Sequence, residues 1–172
     1  VREGDEYVIN GQKTFITNGH NCGIIVLAVK TDPAAGRKGI SLIAVEEGTP
    51  GFKKGRRLKK LGLPAQDTSE LFFDDVRVPV ENLLGEENQG FYYMMEELAQ
   101  ERLAIAVRSA ASLEAMFEET VTYTRSREAF GNSLIDFQNT RFKLAEAKSY
   151  IEMLRTFIAV SYTHLRAHET VS

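Results

Sequence analysis

Apolar and polar positions alternate or cluster in short runs through the first half of the chain, whereas a three-four apolar rhythm fills the second. Tyr7-Val8-Ile9 and Lys13-Thr14-Phe15-Ile16-Thr17 read as strand segments flanking Asn10-Gly11, a pair suited to the positive φ angles of a two-residue hairpin turn. Further strand-like runs lie at 24–30, 40–46 and 71–78, separated by turn chemistry at Asp32-Pro33, Gly36, Gly48-Thr49-Pro50-Gly51 and Gly62-Leu63-Pro64. Short strands joined in this way predict a small antiparallel β-barrel or sandwich. Pro79 closes the last of them, because it has no N–H to give a ladder, and Leu84-Gly85-Glu86-Glu87-Asn88 leads into helix with acids near its positive end. The expected domains are therefore a β domain over 1–84 and a helical domain over 85–159.

The helical half reads as two antiparallel helices. The first runs from about Asn88 to about Arg125, Gly131-Asn132-Ser133 marks the loop, and the second carries Phe137, Thr140, Leu144, Ala147, Ile151, Leu154 and Ile158 at bundle-seam spacing. Two helices cannot bury both their faces, so an incomplete four-helix bundle is predicted, completed by further chain or by identical chains. The fold class is α+β.

Glu101 stands out within the first helix. Stepping by three and four from Met94 gives Leu98, Glu101, Ile105, then Ala106 or Ser109, Leu113 and Met116 or Phe117, an apolar stripe that the carboxylate interrupts. Its neighbours on the same face are Glu97, Leu98, Ala104 and Ile105, so no cation on that helix neutralises it. Two readings follow: a structural ion pair with another element, or a general base tuned by desolvation.

Composition narrows the classes. With 172 residues, 43% of them hydrophobic, the chain can bury a core, and 21 basic against 24 acidic residues give a net charge of −3 that offers no global attraction to nucleic acid or anionic membrane. The single cysteine, Cys22, cannot form an internal disulfide and fits a reducing compartment, and no apolar run reaches the ~20 residues of a membrane span. Val1-Arg2-Glu3-Gly4-Asp5 carries neither an initiator methionine nor a signal-like segment and runs straight into strand, as though the chain were cut at its front. Lys53, Lys54, Arg56, Arg57, Lys59 and Lys60 form a basic run, but without interleaved aromatics it reads as a solvated face rather than a nucleic-acid patch. His20, His164 and His168 lack ligand spacing, so no metal is expected, and no Gly-rich phosphate loop is present.

Several segments together resemble the acyl-CoA dehydrogenases: Lys13-Thr14-Phe15-Ile16-Thr17-Asn18-Gly19; Asp67-Thr68-Ser69-Glu70-Leu71-Phe72-Phe73-Asp74-Asp75-Val76-Arg77-Val78-Pro79; Leu83-Leu84-Gly85; Gly90-Phe91; and Arg127-Glu128-Ala129-Phe130-Gly131 followed by Phe137-Gln138. The resemblance covers Val1 to about Ala159 and implies the family's middle β domain plus the first part of its C-terminal four-helix domain. Gln100-Glu101-Arg102-Leu103 looks closest to the long-chain and isovaleryl branches, in which the catalytic base is the glutamate of this helix; in most other branches it lies downstream, beyond this chain. The implied reaction is α,β-dehydrogenation of an acyl-CoA, with Glu101 taking the α-proton and FAD accepting a hydride from the β-carbon.

Carried over residue by residue, the resemblance implies flavin contacts from Phe15, Ile16 and Thr17, and contacts from Arg127 and Gln138, with Phe130 nearby, to the FAD of a neighbouring subunit. The bland alternatives are an alternating strand for the first group and a helix-terminal cation for Arg127. Tyr92, Ala99, Gln100 and Arg102 match positions that line the acyl-CoA site, and Arg37 and Lys38 match a loop that touches substrate in long-chain relatives. A homo-oligomer, commonly a tetramer, and an electron-transferring flavoprotein as acceptor are implied, in the cytoplasm of a bacterium or the mitochondrial matrix of a eukaryote. An acyl-CoA oxidase or flavin monooxygenase on the same fold, and a non-catalytic module, are the rival readings. Ala99 stands where long-chain relatives often place proline, the upstream and downstream flavin contacts are missing, and residues 160–172 abandon the seam, resembling a translated sequencing adapter and hence a non-native tail.

Overall fold

The computed structural model describes the backbone of residues 1–169, with side chains as far as Leu165. The chain divides into two compact units, Val1–Met95 and a second beginning at Glu96.

In the first unit the strands follow chain order as β1 (Arg2–Glu3), β2 (Glu6–Thr17), β3 (Ile24–Lys30), β4 (Ile40–Glu46), β5 (Phe52–Arg57), β6 (Thr68–Pro79) and β7 (Leu83–Leu84). They form two antiparallel sheets, one ordered β1-β2-β6-β5 and the other β3-β4-β7. Tyr7, Ile9, Leu71, Phe73, Val76 and Val78 of the first sheet share one core with Leu27, Ile43 and Val45 of the second, so the architecture is an open sandwich and not a closed barrel. Phe52 stacks on Phe73 with ring centres 4.9 Å apart, fixing β5 to the sheet.

The Asn10-Gly11 hairpin expected from sequence does not form. β2 runs through it, and the register slips so that Ile9 faces Val76 while Gly11 faces Phe73, which leaves Asp74 and Asp75 opposite the single Asn10. The Asn10 side chain holds this bulge, donating from Nδ2 to Asp75 Oδ1 at 2.9 Å and accepting the Asp75 N–H at 2.8 Å. Because the bulge inserts a residue, the inward positions of β6 change phase from Leu71 and Phe73 to Val76 and Val78. The hairpin turn falls earlier, at Gly4 and Asp5 between β1 and β2, where Gly4 takes φ 64°.

The basic run proves to be structural. Its first half is strand β5, and Lys54 is turned inward, donating to the carbonyls of His20 and Cys22 at 2.9 and 2.6 Å and pairing with Glu47 at 2.6 Å. Arg56 pairs with Glu70, Arg57 donates to Asn21, and Lys60 donates to the Gln66 carbonyl.

Helix α1 (Gly90–Ser126) starts in the first unit and supplies one arm of the second, where a small hairpin of β8 (Glu128–Ala129) and β9 (Asn132–Ser133) leads to α2 (Gln138–Glu169). The helices are antiparallel: Arg155 pairs with Glu114 at 3.1 Å, and Lys148 sits 5.8 Å from the Phe117 ring centre. Every seam residue expected on α2, Phe137 through Ile158, is half-buried or buried. The α1 seam differs from expectation. Leu103, Ala106, Ala110, Phe117, Val121 and Thr124 are the covered positions, while Glu101, Ile105, Leu113 and Met116 are exposed. At about 100° per residue, Glu101 lies roughly 180° from Ala110, so Glu101 and Ile105 point away from the seam, whereas Leu113 and Met116, further along the same stripe, border a groove with Leu144, Ala147 and Ile151 of α2. Helix α2 continues through the first residues of the expected tail to Glu169, with Leu165 half-buried; residues 170–172 lie outside the described part. Among the described residues no helix is long and apolar enough to cross a membrane.

Candidate active site

Phe15 and Phe130, the two aromatic residues expected at a flavin, share an unusual backbone. Phe15 occupies a second bulge of β2, where Thr14 and Phe15 oppose only Glu70 of β6, and it takes φ 60°. Phe130 forms the β8–β9 turn with Gly131, at φ 52° and 79°. A bulky side chain in the left-handed region costs about 1–2 kcal/mol. In return each ring is thrown outward, 75% exposed at Phe15 and 95% at Phe130. Thr17 is exposed beside Phe15, while Ile16 packs against the sandwich core and anchors the strand. An outward aromatic face beside a hydroxyl suits a planar heteroaromatic ring, so this segment fits an isoalloxazine.

Arg127 and Gln138 flank the turn bearing Phe130, and both are exposed. The terminal carbonyl of Tyr123 is taken by the Arg127 N–H at 2.9 Å and the Ser126 hydroxyl at 3.1 Å, not by the guanidinium. The helix-capping alternative for the Arg127 side chain is therefore not realised among the described residues. An open guanidinium and amide beside an exposed ring can serve a polar, anionic cofactor.

Of the residues expected at substrate, the structure brings Arg37 to the start of α1. Its guanidinium lies 5.8 Å from the Phe91 ring centre, and Phe91 meets Tyr92 edge-to-face at 5.9 Å. Lys38 is exposed on the same 3-10 turn, Gly36–Gly39. Phe91 escaped sequence reasoning, although the spacing of one residue from Tyr92 put it on the same helical turn. In the second unit Ala99, Gln100, Glu101 and Arg102 are all exposed on consecutive positions of α1. Gln100 borders a groove of about 690 Å³ with Leu103, Ala104, Val107, Tyr162 and Leu165. Glu101 makes no ion pair or hydrogen bond among the described residues, and it is exposed, so within this chain alone it is neither paired nor desolvated as the two sequence readings expected. No three potential metal ligands cluster among the described residues.

An open β-sandwich followed by a long helical hairpin, with two outward left-handed phenylalanines and an unpaired glutamate on the first helix, is the architecture that the chain presents for comparison. Residues 1–76 match the family described as acyl-CoA dehydrogenase, middle domain, and residues 88–170 match acyl-CoA dehydrogenase, C-terminal domain. The chain belongs to the acyl-CoA dehydrogenase family. It is 48% identical over 171 residues to the mitochondrial long-chain specific acyl-CoA dehydrogenase of Sus scrofa, covering 98% of this chain and 39% of that protein. To the mitochondrial isovaleryl-CoA dehydrogenase of Oryza sativa subsp. japonica it is 43% identical over 152 residues, 88% of this chain and 37% of that one. The solved acyl-CoA dehydrogenase of Geobacillus kaustophilus superposes with TM-score 0.91 at 51% identity, covering 96% of this chain and 44% of the other. The chain thus spans about two-fifths of the length of these relatives, and the match to the C-terminal domain extends past residue 159 into the segment expected to be foreign.

Proposed function

We propose that a protein containing this chain performs the flavin-dependent α,β-dehydrogenation of acyl-CoA thioesters. The observation that carries this reading is the position of Glu101: unpaired and exposed, on the α1 face opposite the α2 seam, within a chain belonging to the acyl-CoA dehydrogenase family. FAD, when bound, supplies the hydride acceptor. Phe15 and Thr17 would lie against its ring system, with Ile16 holding the strand in place, and Arg127 and Gln138, with Phe130 nearby, would reach the FAD of a neighbouring subunit. Glu101 takes the α-proton of a thioester laid over its face of the helix, a contribution typically worth ~10²–10⁴ in rate. Arg102, with its fork of donors, and Arg37, Lys38 and Tyr92 hold the polar CoA portion, while Ala99 and Gln100 line the acyl side. The uncovered apolar face of α1 supports a homo-oligomer, in this family a tetramer, and electrons would leave to an electron-transferring flavoprotein.

The test uses the full-length protein, loaded with FAD and mixed anaerobically with a long-chain and a branched short-chain acyl-CoA while flavin absorbance is followed. Bleaching in the wild type that slows by about 10² or more in Glu101→Gln, with FAD retained, is the expected result. Bleaching that survives the substitution moves the base elsewhere, and no bleaching with either substrate removes the proposed activity.

A further inference from the structure

The loop that carries Arg37 and Lys38 and the helix that carries Phe91 and Tyr92 are tied together by three polar side chains. Thr31 and Ser41 stand at the two ends of that loop, where the Thr31 and Asp32 N–H groups both donate to the Gly39 carbonyl at 2.9 and 3.2 Å. Asn88, at φ 69°, stands two residues before α1. The Thr31 hydroxyl has a single proton and two acceptors in reach, Asn88 Oδ1 at 2.6 Å and the Gly39 carbonyl at 3.3 Å, and the much shorter bond takes it. Ser41 Oγ, 2.7 Å from Thr31 Oγ1, therefore donates to Thr31, and it accepts the Asn88 N–H at 2.7 Å.

The three bonds run head to tail in a closed ring, from Asn88 N–H to Ser41 to Thr31 and back to Asn88 Oδ1. Hydrogen bonds aligned in one sense polarise one another, and Ser41 is fully buried, so removing one member leaves a desolvated partner unsatisfied. The contact is close as well as polar. A Cβ at Gly90 would come within 2.9 to 3.0 Å of the Ile40 and Ser41 backbone, so the first residue of α1 rests directly on β4.

We infer that Thr31, Ser41 and Asn88 form a positioning latch that sets the Arg37 loop against the Phe91–Tyr92 turn and so shapes the grip on the polar part of an acyl-CoA. None of the three touches substrate; they act through Arg37 and Tyr92. The inference rests on the proposed dehydrogenase reading, and it places the effect in binding rather than in proton abstraction, which belongs to Glu101 on a later turn of α1.

In the full-length flavin-loaded enzyme, Thr31→Val removes the hydroxyl and keeps the shape, while Thr31→Ser keeps the hydroxyl. Asn88→Gly keeps the left-handed backbone and removes the acceptor. Three quantities are read for each: KM and kcat with an acyl-CoA, the Kd of trans-2-octenoyl-CoA by calorimetry, and flavin content. Thr31→Val and Asn88→Gly are expected to raise KM and Kd about five- to twentyfold, with kcat within about twofold and flavin retained, because small misplacements of binding groups carry large penalties. Thr31→Ser is expected to match the wild type. An unchanged Kd in both disrupting variants overturns the latch, as does a loss confined to kcat or a Thr31→Ser variant no better than Thr31→Val; if Thr31→Val does not fold, Asn88→Gly decides. A wild type that binds octenoyl-CoA while the variants bind equally well sinks the latch alone, whereas a wild type that neither binds it nor bleaches sinks the dehydrogenase reading and the latch together.

Discussion

The two units solve the problem of burial differently. The sandwich closes its own core, with Ile43, Val45, Leu71 and Val76 wholly removed from solvent. The helical hairpin has little covered interior: among the described residues Ala110 and Ile151 are its buried apolar side chains, while Ile105, Leu113, Met116, Phe142, Tyr150, Met153 and Phe157 remain exposed. A strand sheet has one inner face to satisfy, and a facing sheet satisfies it; a helix in a bundle has neighbours on two sides, and a hairpin offers only one. The sandwich is thus a complete packing unit, and the hairpin displays surface that a bundle would use.

The sharpest way to break that contrast is to remove the same atoms from each unit. Leu71→Ala, wholly buried in the sandwich, should cost about 2–5 kcal/mol. Leu113→Ala, 41% exposed on α1, should cost less than about 1 kcal/mol in this chain. Denaturant midpoints of the two variants measure the difference. Equal losses would mean that the hairpin is packed as tightly as the sandwich and that its exposed leucine is covered in solution.

A second, smaller effect tests whether the sandwich stores backbone strain at Phe15. Phe15 is in the left-handed region with its ring in solvent, a position that asparagine adopts more readily. Phe15→Asn should therefore stabilise the unit by roughly 1 kcal/mol, read as a higher denaturant midpoint, while lowering FAD retention in the full-length enzyme. A destabilised variant would show that the ring makes contacts beyond those of an exposed side chain.

The contrast also explains what the sequence could reveal. Periodicity located β3, β4, the body of β6 and the whole α2 seam, because each has one covered face and that face repeats with the element's own period. It misplaced Asn10-Gly11, since an Asn-Gly pair serves a bulge as well as a turn, and only the register with β6 distinguishes them. It ran the α1 seam through Glu101, because apolar positions continue around that end of the helix and a single sequence does not say where the seam with α2 leaves the stripe. β5 was hidden in charge: Lys54 reads as surface, yet its ammonium is consumed by two carbonyls and Glu47. Of the site, the family motifs marked Phe15, Phe130 and Glu101, but the Thr31–Ser41–Asn88 ring joins residues up to 57 apart and has no local signature.

The smallest effect concerns charge. Inside the sandwich Lys54 has only 14% of its side chain accessible and is held by three acceptors, whereas on α2 Lys148 pairs with Glu152 at 2.7 Å across one helical turn with both side chains half in solvent. The hydrogen bond from Lys148 and then its charge hold the Glu152 carboxyl below the usual glutamate range. A carboxylate whose folded pKa is depressed adds stability above its unfolded pKa and loses it as pH falls through the folded one. Acidifying through that window should weaken α2 slightly, and Lys148→Ala should flatten this part of the pH profile, seen in helical circular dichroism at low salt. High salt should erase the difference, because exposed i,i+4 pairs are screened, whereas the Lys54 contacts, shielded from solvent, should respond little. A wild-type pH profile unmoved by either Lys148→Ala or salt would show that the pair contributes nothing to the helix.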